Sequence, residues 1–305
     1  MDMSTLFALK GRSALITGGS RGIGRMIAEG LVQSGVRVYI TARKAEACDA
    51  TAAELSEQGT CVSLPGDIST KEGLASVVAR LREHETNLDI LVNNAGAAWG
   101  APFDEFPEDG WDKVMDLNLK AMFFLTQALA PDLRAAAAAG DHLAKVINVA
   151  SIDGIRPNPL ETYSYHASKA GVIHLTKRLA SRLAPDGVIV SGIAPGAFGT
   201  KMNKDARDHG DEVKTKIPAG RIGTSEDMAG VAAYLASRAG DYVVGETIVV
   251  DGGVVASSRL LAPRRSDTLP LIRTKPITLM GEHIPYVREL VTNVREPRRK
   301  DTRPS

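Results

Sequence analysis

The sequence predicts a doubly wound α/β fold: a seven-stranded parallel sheet with helices on both faces, forming a single domain with a C-terminal extension. Short runs rich in Val, Ile and Leu recur without polar alternation, as strands buried on both faces require. Longer amphipathic stretches separate these runs, so strand and helix alternate along the chain. A glycine-rich turn joins the first apolar run to the first amphipathic stretch.

Length and composition agree with this and exclude other classes. The 305 residues exceed the ~250 that a large α/β domain uses by some fifty. A hydrophobic content of 44% with 24% charged residues excludes a collagen and a chain disordered throughout. No apolar run reaches the ~18–20 residues that cross a bilayer. The opening MDMSTLFALKGR is too short in its apolar part for a secretory signal. Cys48 and Cys61 form neither a CxxC pair nor a zinc pattern, so the expectation is a reduced, cytoplasmic protein without structural metal. The net charge of +1 is unevenly spread. Residues 255–305 carry eleven Lys/Arg against five Asp/Glu, and six of the fifteen prolines. Residues 1–254 are therefore expected to form the domain, with 255–305 a basic, proline-rich tail of unassigned purpose.

In order, strands are expected at Ser13–Thr17, Val36–Thr41, Cys61–Leu64, Leu88–Val92, Lys145–Val149, Val188–Ile193 and Thr247–Val250. Helices are expected at Ile23–Ser34, Ala45–Gln58, Lys71–His84, Trp111–Ala139, Thr162–Leu183 and Ser225–Ser237.

The first strand leads into Thr17-Gly18-Gly19-Ser20-Arg21-Gly22-Ile23-Gly24. Glycines let a backbone turn tightly and approach a pyrophosphate, and the following helix offers free N–H groups and a positive dipole end. The spacing is GxxxGxG rather than GxGxxG. An acid ~20 residues further on would bind a ribose 2′-hydroxyl and repel a 2′-phosphate. Here the second strand ends Ile40-Thr41-Ala42-Arg43-Lys44, with two cations and no acid. Arg43, Lys44 and Arg21 are the candidate partners of a 2′-phosphate, and the balance favours NADPH.

Tyr165 and Lys169 stand at i and i+4 on an expected helix, hence on one face. A phenol titrates near 10, too high for easy exchange at neutral pH. A nearby ammonium, with the positive nicotinamide ring of an oxidised cofactor, favours phenolate. Tyr165 would then pass a proton to a carbonyl oxygen as hydride arrives at carbon, or take it back. Tyr163 is a rival, but its i+4 neighbour is Ala167.

The glycine turn, Asn93-Asn94-Ala95-Gly96, Ser151, Tyr165 with Lys169, and Pro195-Gly196 follow one another in the strand order. Across residues 8–254 this resembles the short-chain dehydrogenase/reductase family of Rossmann-fold oxidoreductases. The resemblance implies that Ser151 steadies the substrate oxygen and Tyr165 is the general acid/base. It implies that Lys169 lowers the tyrosine pKa and binds the nicotinamide ribose, and that Asn118 holds a water in the proton relay. Gly18, Ser20, Arg21, Gly22, Ile23 and Gly24 would contact the cofactor phosphates. Asp67 and Ile68 would contact adenine, Asn93 and Gly96 would line the cofactor, and Pro195, Gly196, Phe198 and Thr200 would wrap its nicotinamide end. RGIGRMIAEGL, TARKAEAC, NNAGAAWG and IPAGRIGTSEDMA resemble the 3-oxoacyl-acyl-carrier-protein reductase branch, in particular its rhamnolipid-linked form.

That branch implies NADPH-dependent reduction of a 3-oxoacyl thioester, as part of fatty acid metabolism, with acyl carrier protein as a candidate partner. Residues 200–223, expected to cover the substrate, mix Lys and Arg with Asp and Glu and form no clear docking patch for it. Reduction of another small ketone or polyol, oxidation of a secondary alcohol, and a catalytically silent NADP-binding regulator are the competing readings. The tail has Tyr286 as its sole aromatic and no long amphipathic helix, which argues against a nucleic-acid or membrane arm. Relatives pair their two long helices into a homodimer and often form a homotetramer through the last strand.

Overall fold

The computed structural model describes residues 2–140 and 142–257. A short helix, α1 (Met3–Leu6), precedes β1 (Ser13–Thr17), α2 (Gly22–Gln33), β2 (Arg37–Thr41), α3 (Ala45–Ser56), β3 (Cys61–Ser63), α4 (Lys71–Arg82) and β4 (Ile90–Asn93). Then follow α5 (Glu108–Met115), a π-helical turn (Asp116–Lys120), α6 (Ala121–Ala139), β5 (Ala144–Val149), α7 (Tyr163–Leu183) and β6 (Val188–Pro195). The short helices α8 (Lys204–Asp208) and α9 (Gly210–Val213), then α10 (Ser225–Ala236) and β7 (Thr247–Val250), complete the order. Among the described residues no helix is long and apolar enough to cross a membrane.

The seven strands lie in the order β3-β2-β1-β4-β5-β6-β7, and every pairing is parallel. The chain winds outward from β1 to β3, then returns to place β4 on the other side of β1. This reversal opens a crevice at the carboxyl ends of β1 and β4, where such sheets take ligands.

Successive residues of β1 face opposite sides of the sheet. Ala14 and Ile16 join one core with Ile27, Leu31, Leu55 and Leu235, from α2, α3 and α10. Leu15 joins the other with Val77, Leu81, Leu125 and Leu133, from α4 and α6. All five residues of β1 and all eight of β6 are buried, which explains the missing polar alternation.

Several bounds differ from expectation by one or two residues, and the departures around β4 and the long helix after it bear on the site. The fourth strand begins at Ile90 rather than Leu88, because the Asp89 carboxylate caps the end of β1, accepting from Ser13 N at 2.7 Å and Ser13 Oγ at 3.1 Å. The helix expected over Trp111–Ala139 starts earlier, at Glu108, and is interrupted by the π turn, which Ala121 N closes onto Asp116 O. Beyond Ser257 the expected basic tail lies outside the described residues.

Candidate active site

The crevice between β1 and β4 is held in shape by its two motifs bonding to each other. Thr17 Oγ1 accepts from Asn94 N and Ala95 N, both at 2.9 Å. Asn94 Nδ2 donates to Thr17 O at 2.8 Å and to Gly18 O at 3.3 Å. A Cβ on Gly24 would collide with Gly18 O and Asn94 Nδ2, so only glycine lets α2 begin so close to the strand ends. Thr51 Oγ1 donates to Ser20 O at 3.0 Å, tying the turn to α3. Ile23 packs on the core.

The loop after β6 crosses this turn. Gly196 N continues the sheet onto Val250 O at 2.9 Å, and Pro195 pairs with Val250. Phe198 is buried against Gly223, with which its backbone forms a bridge. Thr200 comes back to the glycine turn, so that a Cβ on Gly22 would lie 3.4 Å from its Cγ2. Between turn and loop lies a cavity of about 330 Å³, lined by Ser20, Arg21, Gly22, Thr200, Lys201 and Arg207 among others. At the end of β2, Arg43 and Lys44 are exposed, as is Arg21 on the turn. None of the three side chains has a bonding partner among the described residues. The buried Thr41 Oγ1 beside them is likewise unpaired.

Three residues assigned to this crevice have side chains engaged elsewhere. Asn93 turns into the core, where its Nδ2 donates to Thr126 Oγ1 at 3.0 Å and Asn148 Oδ1 at 2.9 Å. Asn148 Nδ2 continues to Thr176 Oγ1 at 3.0 Å, so a buried polar chain ties α6, β4, β5 and α7 together. Ile68 is buried among Leu64 and Val77. Asp67 Oδ1 accepts from Ser69 N and Oγ, at 3.1 and 2.6 Å.

Ser151, Tyr165, Lys169 and Asn118 converge beside β4 and β5. Ser151 follows β5, and its Oγ caps the 3-10 turn Ile152–Gly154 by accepting from Asp153 N at 3.1 Å. Its hydroxyl also lies close enough to the Tyr165 phenol to lower that group's pKa in part. Lys169, one helical turn beyond Tyr165, is 4% exposed, donates to Val149 O at 2.8 Å and places Nζ 5.7 Å from the Tyr165 ring centre. Asn118, in the π turn, clamps the loop after β4. Its Oδ1 accepts from Ala97 N at 2.8 Å, and its Nδ2 donates to Ala97 O at 2.9 Å and Ser168 Oγ at 3.0 Å. This brings Gly96 to the group, so that a Cβ there would stand 3.3 Å from Asn118 Oδ1 and 3.7 Å from Lys169 Nζ. Such π turns recur at functional sites because the extra residue re-aims a side chain.

Burial sets the electrostatics. It pushes the Tyr165 phenol up to about 12, with the nearby Asp153 acting in the same direction and the Ser151 hydroxyl partly opposing. It drives the Lys169 ammonium down to about 8. With the protein's own groups alone, the phenol is held protonated at neutral pH. Tyr163, the rival, donates to Glu161 Oε1 at 3.1 Å.

Thr17 and Asn94, which lock the crevice, lie inside the two motifs read from sequence but had no role assigned there. The residue missed from sequence is Arg156, which donates from Nη1 to Val254 O at 2.8 Å and Ser257 O at 3.2 Å. It carried no signal, since its partners are carbonyls some hundred residues away.

A doubly wound sheet with a glycine turn at its switch point and a Ser, Tyr, Lys group at the facing strand ends defines a dinucleotide-dependent oxidoreductase. The sequence matches the family model described as enoyl-(acyl carrier protein) reductase over residues 18–255. The rhamnolipids biosynthesis 3-oxoacyl-acyl-carrier-protein reductase of Pseudomonas aeruginosa is 44% identical over 254 residues, 82% of this chain and 99% of its own length. Gluconate 5-dehydrogenase of Gluconobacter oxydans is 34% identical over 261 residues, 84% of this chain and 100% of its own. Among solved structures, the Pseudomonas aeruginosa RhlG/NADP active-site complex matches with a TM-score of 0.79 at 44% identity, covering 83% of this chain and 100% of that one. The chain belongs to the short-chain dehydrogenase/reductase family of oxidoreductases.

Proposed function

We propose that the protein is an NADPH-dependent carbonyl reductase whose substrate is a 3-oxoacyl thioester. The observation that carries it is the convergence of Ser151, Tyr165 and Lys169 at the strand ends facing the glycine turn. The residues present fit the cofactor. The glycine turn and the Thr200 loop offer main-chain groups and the N-terminus of α2 to a pyrophosphate. Arg21, Arg43 and Lys44 are unpaired cations among the described residues, placed where a 2′-phosphate needs them, and no acid repels it. That the Pseudomonas aeruginosa structural relative is an NADP complex supports the same choice.

When bound, NADPH supplies a hydride to the carbonyl carbon. The Tyr165 hydroxyl delivers its proton to the carbonyl oxygen as the C=O bond becomes an alcohol. Its raised pKa keeps that proton in place at neutral pH, which suits reduction. The Ser151 hydroxyl, close to the same phenol, steadies the substrate oxygen. Lys169, positively charged below pH 8, favours the phenolate left behind and refills it with a proton. Asn118 fixes Gly96 and Ala97 beside Lys169; with both ends of its amide bonded to protein, it acts by positioning this loop.

The 44% relative named as a 3-oxoacyl-acyl-carrier-protein reductase favours the thioester over the sugar acid named for the 34% relative. In the segment after β6, Arg207 pairs with Asp208 and Lys214 with Asp211, so two of its cations are already neutralised against an acidic carrier. Tyr242, Val244 and Val249 are exposed on or beside the edge strand β7, which favours self-association there. A screen of NADPH oxidation tests this reading: turnover of 3-oxoacyl thioesters well above that of 5-ketogluconate is expected, and the reverse order would overturn it.

A further inference from the structure

Around Tyr165 the rim of the site is apolar in a way that chemistry at the carbonyl alone does not require. Phe103, Leu160 and Ile155 are 71%, 62% and 44% exposed. Phe103 sits on the loop after β4, and Ile155 and Leu160 sit between Ser151 and α7. The two segments are joined: Glu161 Oε1 accepts from Phe103 N at 3.3 Å, and the Phe103 and Tyr163 rings meet edge to face at 5.6 Å. Single exposed hydrophobes are ordinary, but here three stand on two joined segments, one of which runs between Ser151 and the helix that carries Tyr165. Met202, 52% exposed, adds a flexible apolar group on the loop after β6.

The polar groups of the same rim are spent on one another. Asn158 Nδ2 donates to Asp153 Oδ1 at 2.8 Å, and Asn158 Oδ1 accepts from Leu160 N at 2.8 Å. His166 Nδ1 meets Thr162 O at 2.9 Å, and Glu161 takes the Tyr163 hydroxyl at 3.1 Å. A polyhydroxylated substrate needs free donors and acceptors around its carbonyl, and would leave some unpaired here. An alkyl chain needs apolar area, which this rim has left exposed.

We infer that Phe103, Ile155 and Leu160 form the wall along which the alkyl tail of the substrate lies, selecting longer 3-oxoacyl thioesters over short ones and over polyols. This rests on the thioester reading above. The test is kcat/KM for soluble 3-oxobutanoyl, 3-oxohexanoyl, 3-oxooctanoyl and 3-oxodecanoyl thioesters, with wild type, Leu160→Ser and the double variant Phe103→Ser/Leu160→Ser. Wild type should gain up to about fourfold per methylene laid on the wall. Both variants should lose more as the chain lengthens, with the double variant down by about tenfold or more on the decanoyl substrate and far less on the butanoyl one. A flat wild-type series, or variants that scale all four substrates equally, would overturn the wall. Absence of turnover on every thioester, the butanoyl one included, would instead overturn the substrate reading itself.

Discussion

Gly154 lies directly on the main chain of Lys169: a Cβ at position 154 would stand 2.5 Å from the Lys169 carbonyl carbon and 2.6 Å from its oxygen. The 3-10 turn that Ser151 caps is thereby seated on the turn of α7 that carries the lysine, one helical turn from Tyr165. The spacing of hydroxyl, phenol and ammonium is thus set by a contact that any side chain would open.

Gly154→Ala should therefore lift Ile152–Gly154 from α7 and move Ser151 away from the phenol. Overpacking of this kind costs about 1–3 kcal/mol of stability. A displacement of about 1 Å at reacting groups can cost ~100-fold in rate. Steady-state kinetics with a thermal melt should show kcat down by at least about tenfold, with NADPH affinity little changed. A variant with normal kcat would show that the seat is not what positions Ser151.

Lys169 is buried without a carboxylate among its described partners, so it should destabilise the fold it serves. Lys169→Met is expected to raise unfolding stability by about 1–3 kcal/mol at pH 7 while removing activity. The folded pKa of about 8 lies below the ordinary 10.5, so the folded state holds fewer protons than the unfolded one between those values. The cost is complete below pH 8 and disappears as pH rises toward 10.5, so the gap between variant and wild type should close over that window. Tyr165 has the opposite sign, its contribution present below 10 and lost as pH rises to about 12. Reduction by wild type should decline as pH passes about 8, when Lys169 loses its proton. Chemical denaturation at several pH values and a pH–rate profile check both statements.

The cofactor choice rests on the end of β2. Ala42→Asp with Arg43→Ile places an acid where the 2′-phosphate would lie and removes one of its cations. The ratio of kcat/KM for NADPH over NADH should fall by about tenfold or more. An unchanged ratio would move the discrimination to other residues.

Arg156 ties the Ser151 turn to the residues that follow β7. Its guanidinium joins the Ser151 turn to Val254 O and Ser257 O, and Asp251 Oδ2 accepts from Val255 N at 2.6 Å. A chain ending at Ser257 should fold, bind NADPH and keep most of its activity. One ending at Gly253 should lose about tenfold or more in kcat, because the Ser151 turn loses this support. Equal activity of the two truncations would remove Arg156 from the account.

Strands were legible to within about two residues because buried parallel strands are continuous apolar runs. The motifs themselves were legible because they fall at strand ends in a fixed order. The π turn was not: one extra residue leaves the helical periodicity of 111–139 nearly intact, although it is what aims Asn118. Nor does sequence tell Asn93 from Asn94, neighbours of which one faces the core and the other the crevice. Pleat direction decides between them, and it depends on where β4 ends. The i, i+4 spacing records the cation beside Tyr165 but not the burial that pushes its phenol up.

Substitution of Tyr165 by Phe tests the central claim most directly, since it deletes one oxygen and keeps the ring. Single-turnover NADPH oxidation with a 3-oxoacyl thioester, alongside NADPH binding by fluorescence, separates chemistry from cofactor affinity. The account predicts near-normal binding with the hydride-transfer rate reduced by about 100-fold or more. Turnover within about tenfold of wild type would contradict it, placing the proton donor on another residue.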